Sequence, residues 1–266
     1  MRNLFMHSET GGNNYIREKA IEAAKGKILI IKLDCFCGIG GVTDSAKRVE
    51  LEGNPAIKVI VAINHSEDAI EIHEANNPDV EHFIEDIRLV SMMKLKSIIE
   101  FWKNIYPDAL LSIWFSAECT NLSNAKGGMS RNPDSRTLSN DIFRYIEALN
   151  PDYIFIENVQ EIMAWGPVRI RVKAKHKGDI KNGVFANSEL KTFINKDTGL
   201  EEYHYEPWSK KNGLYFQAWR DGIIACGYNY GYKILDSADY GAYQSRERYF
   251  AVFAKPGLPL SFPKPT

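Results

Sequence analysis

A doubly wound, mostly parallel α/β sheet is the fold this sequence predicts. Three observations carry that expectation. Short runs rich in β-branched residues recur along the chain, their polarity is flat instead of alternating, and helix-period segments separate them. Strands that read flat are buried on both faces, and strand–helix–strand alternation joins them by crossovers of one hand.

The first strand is Ile28 to Leu33, and the glycine-rich turn Asp34-Cys35-Phe36-Cys37-Gly38-Ile39-Gly40-Gly41 leads into a helix over Val42 to Leu51. A second strand, Ile57 to Ile63, precedes a helix over Glu67 to Ala75, and a third short strand stands before Glu85-Asp86-Ile87. Ser91 to Lys103 is helical, Ala109 to Phe115 is a strand, and Thr137 to Leu149 is a helix that stops at Asn150-Pro151, where proline cannot continue it. Tyr153 to Ile156 is the next strand. A helix over Tyr215 to Cys226 precedes the last two strands, Lys233 to Asp236 and Tyr249 to Ala254.

With 266 residues, 44% hydrophobic and 12% aromatic, the chain buries a full core, which excludes disordered and fibrous classes. Cys35, Cys37, Cys119 and Cys226 are too few and too irregularly spaced for a disulfide scaffold, and no Cys/His spacing suits a metal, so no metal is expected. Reduced thiols, no apolar leader and no membrane-length run predict a cytoplasmic protein without a membrane role. The formal net charge of −1 argues against a polyanion-binding tail. That balance hides an asymmetry: Trp165 to Arg220 holds eleven Lys and Arg against six Asp and Glu, so this stretch is +5 and the remainder −6. The expected organisation is therefore an N-terminal helix in 1–26, a core in 27–164, a basic insertion in 165–220 and the rest of the core in 221–266.

The glycine turn lies between a strand and a helix, where a nucleoside cofactor settles in the first crevice of such sheets. Asn64-His65 follow the second strand at the position of a ribose-binding acid, and Asp86 follows the third, where a carboxylate accepts from an adenine amino group. If strands 109–115 and 153–156 are neighbours, Cys119 and Glu157 leave the sheet at one carboxyl edge. A thiolate adds to an electron-poor ring carbon, and a carboxyl group beside it manages the proton on a ring nitrogen. Cytosine is such a ring.

Taken with Gln244-Ser245-Arg246-Glu247-Arg248, these segments resemble the DNA cytosine-C5 methyltransferase family. The ordered set is Asp-x-Phe-x-Gly-x-Gly-Gly at 34–41, Asp86, the 118–121 loop, Arg136-Thr137-Leu138, Glu157-Asn158-Val159 and Gln244-x-Arg246-x-Arg248, spanning about 28–255. The resemblance implies a Rossmann-like fold, S-adenosylmethionine as donor, DNA as partner with its target base flipped out, and methyl transfer to cytosine C5. It makes Cys119 the nucleophile on C6 and puts Glu157 on the N3 and amino edge, with Arg248 holding the base and Arg246 supporting the loop. Asp34, Phe36, Gly38, Gly40, Gly41, Asn64, His65, Asp86 and Ile87 would line the donor. A bacterial or phage restriction-modification setting is the implied context.

Three features depart from the family. Glu118 and Thr120 stand where it places Pro and Gln around the nucleophile; a carboxylate beside a thiol opposes thiolate formation, which makes Glu118 a candidate catalytic or substrate contact. Asn64 replaces the ribose-binding acid and lacks its charge. The chain ends at Pro263-Lys264-Pro265-Thr266, so the expectation is that a full target-recognition domain is missing and that a second subunit is a candidate supplier. Gly11-Gly12-Asn13-Asn14 and the helical Tyr15 to Ala24 read either as the family's final helix moved to the front, which adds Asn13 to the donor site, or as a plain Asn-capped helix.

DNA contact is expected from Arg169, Arg171, Lys173 and Lys175, which alternate with apolar residues as an extended basic ribbon, with Trp165, Trp208 and Trp219 flanking it. Lys126 and Arg131, in a glycine-hinged loop after Cys119, together with Gln244 and Arg246, complete the set. Other readings stay open: transfer of another one-carbon group, action on RNA or a free nucleotide, and a catalytically silent DNA-binding subunit.

Overall fold

The computed structural model describes residues 28–117, 138–171, 190–195 and 199–265. Its elements in chain order are β1 (Ile30–Cys35), α1 (Gly41–Lys47), β2 (Glu50–Leu51), β3 (Asn54–Pro55), β4 (Ile57–Asn64), α2 (Glu67–Asn76) and β5 (Glu81–Ile84). There follow α3 (Met92–Ile105), β6 (Leu110–Phe115), α4 (Ile142–Leu149), β7 (Tyr153–Asn158), β8 (Val168–Ile170), β9 (Thr192–Ile194), β10 (Glu201–Tyr203), β11 (Tyr205–Pro207), α5 (Leu214–Ala225), β12 (Asn229–Asp236) and β13 (Glu247–Ala254).

The chain divides into two compact units: Met1–Ala117 with Asn140–Glu157 and Ile223–Thr266, and Glu118–Ser139 with Asn158–Gly222. The first unit is built on a seven-stranded sheet in the order β12-β13-β7-β6-β1-β4-β5. β1 pairs in parallel with β4 and β6, β4 with β5, and β6 with β7, while β12 and β13 are antiparallel. At one end Lys255 N donates to Asp152 O at 3.0 Å, and at the other Arg248 meets Glu157, so β13 runs antiparallel to β7. The strand order reverses between β1 and β6, the position where doubly wound sheets hold their ligands.

Apolar burial drives this arrangement. Ile31, Leu33, Ile60, Ile63 and Ile113 are fully enclosed, with Trp102, Phe115, Tyr145, Tyr249 and Phe253 as the largest buried side chains. Helix ends follow local chemistry: Ser66 Oγ accepts from Ala69 N at 3.3 Å to open α2, and Ser91 does the same for α3 from Lys94 N at 3.4 Å. Asn150 closes α4 in the left-handed conformation, with Pro151 after it.

One expectation needs correction. The helix predicted over Val42 to Leu51 ends at Lys47, and β2 and β3 form a small hairpin in its place. Glu52 and Gly53 both take positive φ, 53° and 77°, the geometry of a tight hairpin turn, which overrides the helical period. Tyr153 to Ile156 also extends two residues further, so that Glu157 and Asn158 lie on the strand itself.

The second unit holds two antiparallel pairs, β8 with β11 and β9 with β10. Its core is aromatic: Trp165 and Trp219 are buried with ring centroids 6.4 Å apart, and Trp219 Nε1 donates to Ser139 O at 2.9 Å. These two tryptophans are therefore packing residues, while Trp208 carries the Lys211 ammonium 4.5 Å over its ring. Gly166 is required where it stands, because an added Cβ would lie 2.2 Å from Lys211 O.

Candidate active site

The glycine turn after β1 alternates hand. Phe36, Gly38 and Gly40 have φ of 63°, 54° and 108°, and the non-glycine Phe36 is held edge-on against Phe115 at 5.0 Å. Its glycines face different surroundings. A Cβ on Gly38 or Gly41 would meet nothing within 4 Å, whereas one on Gly40 would lie 3.1 Å from His73 Cδ2 and 3.2 Å from Asn77 Nδ2. The turn thus keeps an open side, where a ligand can approach the backbone, and a packed side. Asp34 beneath it is fully buried; burial pushes its carboxyl up to about 7, against the Thr43 hydrogen bond and the Lys32 charge.

The cysteines of this turn are unsuited to attack. Burial, aided by the Asp34 charge, pushes the Cys37 thiol up to about 12 and Cys35 well above its usual range, so both stay protonated. Cys119, Glu118, Lys126, Arg131, Lys173, Lys175 and Asn13 lie outside the described residues.

At the carboxyl end of β7, Glu157 Oε1 lies 3.2 Å from Arg248 Nε on β13. Burial raises the Glu157 pKa, opposed by Arg248 and then Arg246. Both side chains keep about a quarter of their exposure, 25% and 23%, so they are reachable yet weakly screened. The turn that delivers the arginines is organised by Asp236, at the end of β12: it accepts from Arg246 N at 2.7 Å, Ser245 Oγ at 2.5 Å and Ala238 N at 3.1 Å. Those bonds hold the Asp236 carboxyl below its usual range. Sequence reading missed Asp236; the signal available was an acid at a strand end followed by Ser-Ala, a turn that an Asx side chain closes.

A cavity of about 790 Å³ joins these parts within the first unit. Gly41, Ser116, Glu157, Arg246 and Arg248 form its polar side, and Trp114, Phe155, Phe250 and Phe262 an aromatic one. The sheet register explains the grouping: β6 and β7 are adjacent as anticipated, with Trp114 opposite Phe155, and the Glu157 and Ser116 positions share one edge. A concave site with an apolar wall and a few converging polar groups suits a flat heteroaromatic ring and a nucleoside. The residues fit an adenosyl donor in one further respect, the open side of Gly38 and Gly41.

Other expected site residues stand elsewhere. Asn64 ends β4 with His65 directly after it, and Asp86 with Ile87 follows β5, all outside the lining of this cavity. Asn64 Oδ1 accepts from Ser66 N at 2.9 Å, and the Asp86 carboxylate is gripped by Arg88, whose Nη2 lies 2.7 Å from Oδ2. Ile87 is buried, and its carbonyl accepts from Tyr145 Oη at 3.0 Å. Gln244 is exposed, with its carbonyl taken by Ser237 Oγ at 2.6 Å. In the second unit Arg169 and Arg171 share Glu206, at 2.8 and 3.6 Å, so their charges are partly met within the β8–β11 pair. Among the described residues no cluster of His, Cys, Asp and Glu could hold a metal, and no helix is long and apolar enough to cross a membrane.

Comparison with known proteins bears on the family and the fold. The family model for C-5 cytosine-specific DNA methylases matches residues 30–166 and 208–265. No curated protein matches the sequence significantly. Among solved structures, a DNA modification methyltransferase encoded within an E. coli prophage is similar over 89% of this chain and 51% of its own, with TM-score 0.53 and 21% identity. The Entamoeba histolytica methyltransferase EhMeth is similar over 88% of this chain and 56% of its own, with TM-score 0.51 and 17% identity. At these identities the likeness concerns the fold, and the chain spans about half the length of the structures it matches.

Proposed function

We propose a cytosine methyl transfer for this chain, which belongs to the C-5 cytosine-specific DNA methylase family: the methyl group goes from S-adenosylmethionine to C5 of a cytosine flipped out of DNA. The observation that carries the proposal is the Glu157–Arg248 pair, which lines the same cavity as Gly41 of the glycine turn and as Ser116, three residues before Cys119. When bound, S-adenosylmethionine supplies an electrophilic methyl group, and the open edge of Gly38 and Gly41 is its proposed seat.

The roles follow from side-chain chemistry. Cys119 attacks C6 as a thiolate, forming the C–S bond and moving electron density to C5. Glu157, biased by burial toward its protonated form, hydrogen-bonds N3 and the amino group, which stabilises charge on the ring as the thiolate adds. Arg248 holds the Glu157 carboxyl in place and limits that bias. Once C5 is methylated, water takes the C5 proton, the C5–H electron pair restores the C5–C6 double bond, and the C–S bond breaks with its pair on sulfur, which regenerates the Cys119 thiolate. The second unit, with its basic insertion, is the proposed DNA contact, and Lys126 and Arg131 are assigned to phosphate beside the flipped base.

The test is incubation of the purified chain with duplex DNA and S-adenosylmethionine, followed by mass spectrometry of the released nucleosides. 5-Methylcytosine is expected from the wild type and none from Cys119→Ser, and DNA carrying 5-fluorocytosine should trap a covalent adduct. Unmodified cytosine together with no adduct overturns the reading.

A further inference from the structure

Four fully buried polar side chains lie under the glycine turn: Asp34 of β1, Thr43 of α1, and His73 and Asn77 at the end of α2. They form one chain. Thr43 Oγ1 is 3.1 Å from Asp34 Oδ2 and 3.0 Å from His73 Nε2, and His73 Nδ1 is 2.7 Å from His82 Nε2 on β5. Asn77 Nδ2 donates to the His73 carbonyl at 3.1 Å, and the two side chains together close the packed side of Gly40. Asp34 Oδ1 has no hydrogen-bond partner among the described residues. Polar burial on this scale is costly unless the groups satisfy one another, as these do save for Asp34 Oδ1 and Asn77 Oδ1.

We propose that His73 is a positioning residue for the glycine turn, acting through Thr43 on Asp34 and through its ring edge on Gly40; this rests on the turn being the donor-binding one. Proton counting shows how the chain works. Thr43 has one hydroxyl proton; when it donates to an ionised Asp34 it accepts from His73 Nε2–H, and His73 Nδ1 then accepts from His82 Nε2–H. When Asp34 is protonated on Oδ2 the bonds reverse, Asp34 donating to Thr43, Thr43 to Nε2, and Nδ1–H to His82, whereas a proton on the unpartnered Oδ1 leaves their direction unchanged. Ionised Asp34 therefore fixes His73 as the Nε2–H tautomer, and in that state the bonds through Thr43 tie the start of α1 to β1 and α2; neutral Asp34 relaxes the constraint. Lys32 and Thr43 face Asp34, both favouring its charged form; Asp44, Lys47, Asp79 and His82 surround His73, whose own burial favours the neutral ring.

The experiment is calorimetric titration of the full chain with S-adenosylmethionine between pH 6 and 9, beside donor KM and kcat. Thr43→Val, which keeps the shape and removes the hydroxyl, should weaken donor binding about tenfold, the equivalent of one lost hydrogen bond, with kcat at saturating donor changed little. It should also move the pH transition in donor affinity upward, because the Thr43 bond is what holds the Asp34 carboxyl down. His73→Gln places an amide nitrogen where Nε2 was and should restore most of the affinity that His73→Phe loses. Should Thr43→Val fail to fold, His73→Phe, which keeps a ring against Gly40 without its nitrogens, carries the same comparison. A folded Thr43→Val with wild-type affinity and pH profile overturns the proposal alone. A wild-type chain that binds no donor overturns the donor reading, and the proposal with it.

Discussion

Replacing Arg248 by Met isolates the pair on which the catalytic reading depends. At 3.2 Å and an effective dielectric near 20, the Arg248–Glu157 attraction is about 5 kcal/mol before desolvation. Because each side chain keeps about a quarter of its exposure, removing the cation should cost the lower end of the range for a buried pair, ~3 kcal/mol at pH 8. The sign with pH follows from protonation. Burial already raises the Glu157 pKa, and Arg248 opposes that, so the variant's pKa lies higher still. A group whose folded pKa is raised is least costly below its unfolded pKa, and the native state loses stability as pH rises through the folded value. Urea denaturation of wild type and Arg248→Met at pH 5 and pH 8 should therefore show the larger loss at pH 8. Glu157→Gln should remove most of that pH dependence. Equal losses at both pH values would refute charge coupling between the two residues and, with it, the role assigned to Arg248.

Three further outcomes are expected. Gly40→Ala should destabilise clearly more than Gly38→Ala: both adopt positive φ, which costs a β-carbon about 1–2 kcal/mol, but only Gly40 would also press on His73 and Asn77; urea midpoints of the two variants decide it. Gly166→Ala should unfold the Trp165–Trp219 core of the second unit, read as loss of its tryptophan fluorescence signature, because the 2.2 Å approach to a backbone carbonyl leaves no room to relax. Activity should fall on the acid side as Asp236, held below its usual pKa by its three hydrogen bonds, takes up a proton and releases the turn carrying Arg246. Asp236→Asn should flatten that acid limb in a pH–rate profile.

The sheet was legible because buried parallel strands must be apolar on both faces, which leaves flat runs such as Ile57–Asn64 in the sequence. Glu157 was legible because Glu157-Asn158-Val159 follows such a run and falls in order with the other motifs of the set. Asp236 and His73 were not, since an acid near a turn and a histidine in a short helix are ordinary locally and gain meaning from partners 9 to 30 residues away.

By itself, then, the sequence determined the order of the long sheet strands and the helices between them and the chemical types at the carboxyl edge, because hydrophobic period and turn chemistry are local. Only the tertiary structure decided which of those residues meet. It set Glu157 against Arg248, left Asn64 and Asp86 outside the cavity lining, buried Trp165 and Trp219 as core, and closed one side of Gly40 on His73 while leaving Gly38 and Gly41 open. Pairing across a sheet depends on strand order and register, which no single segment encodes.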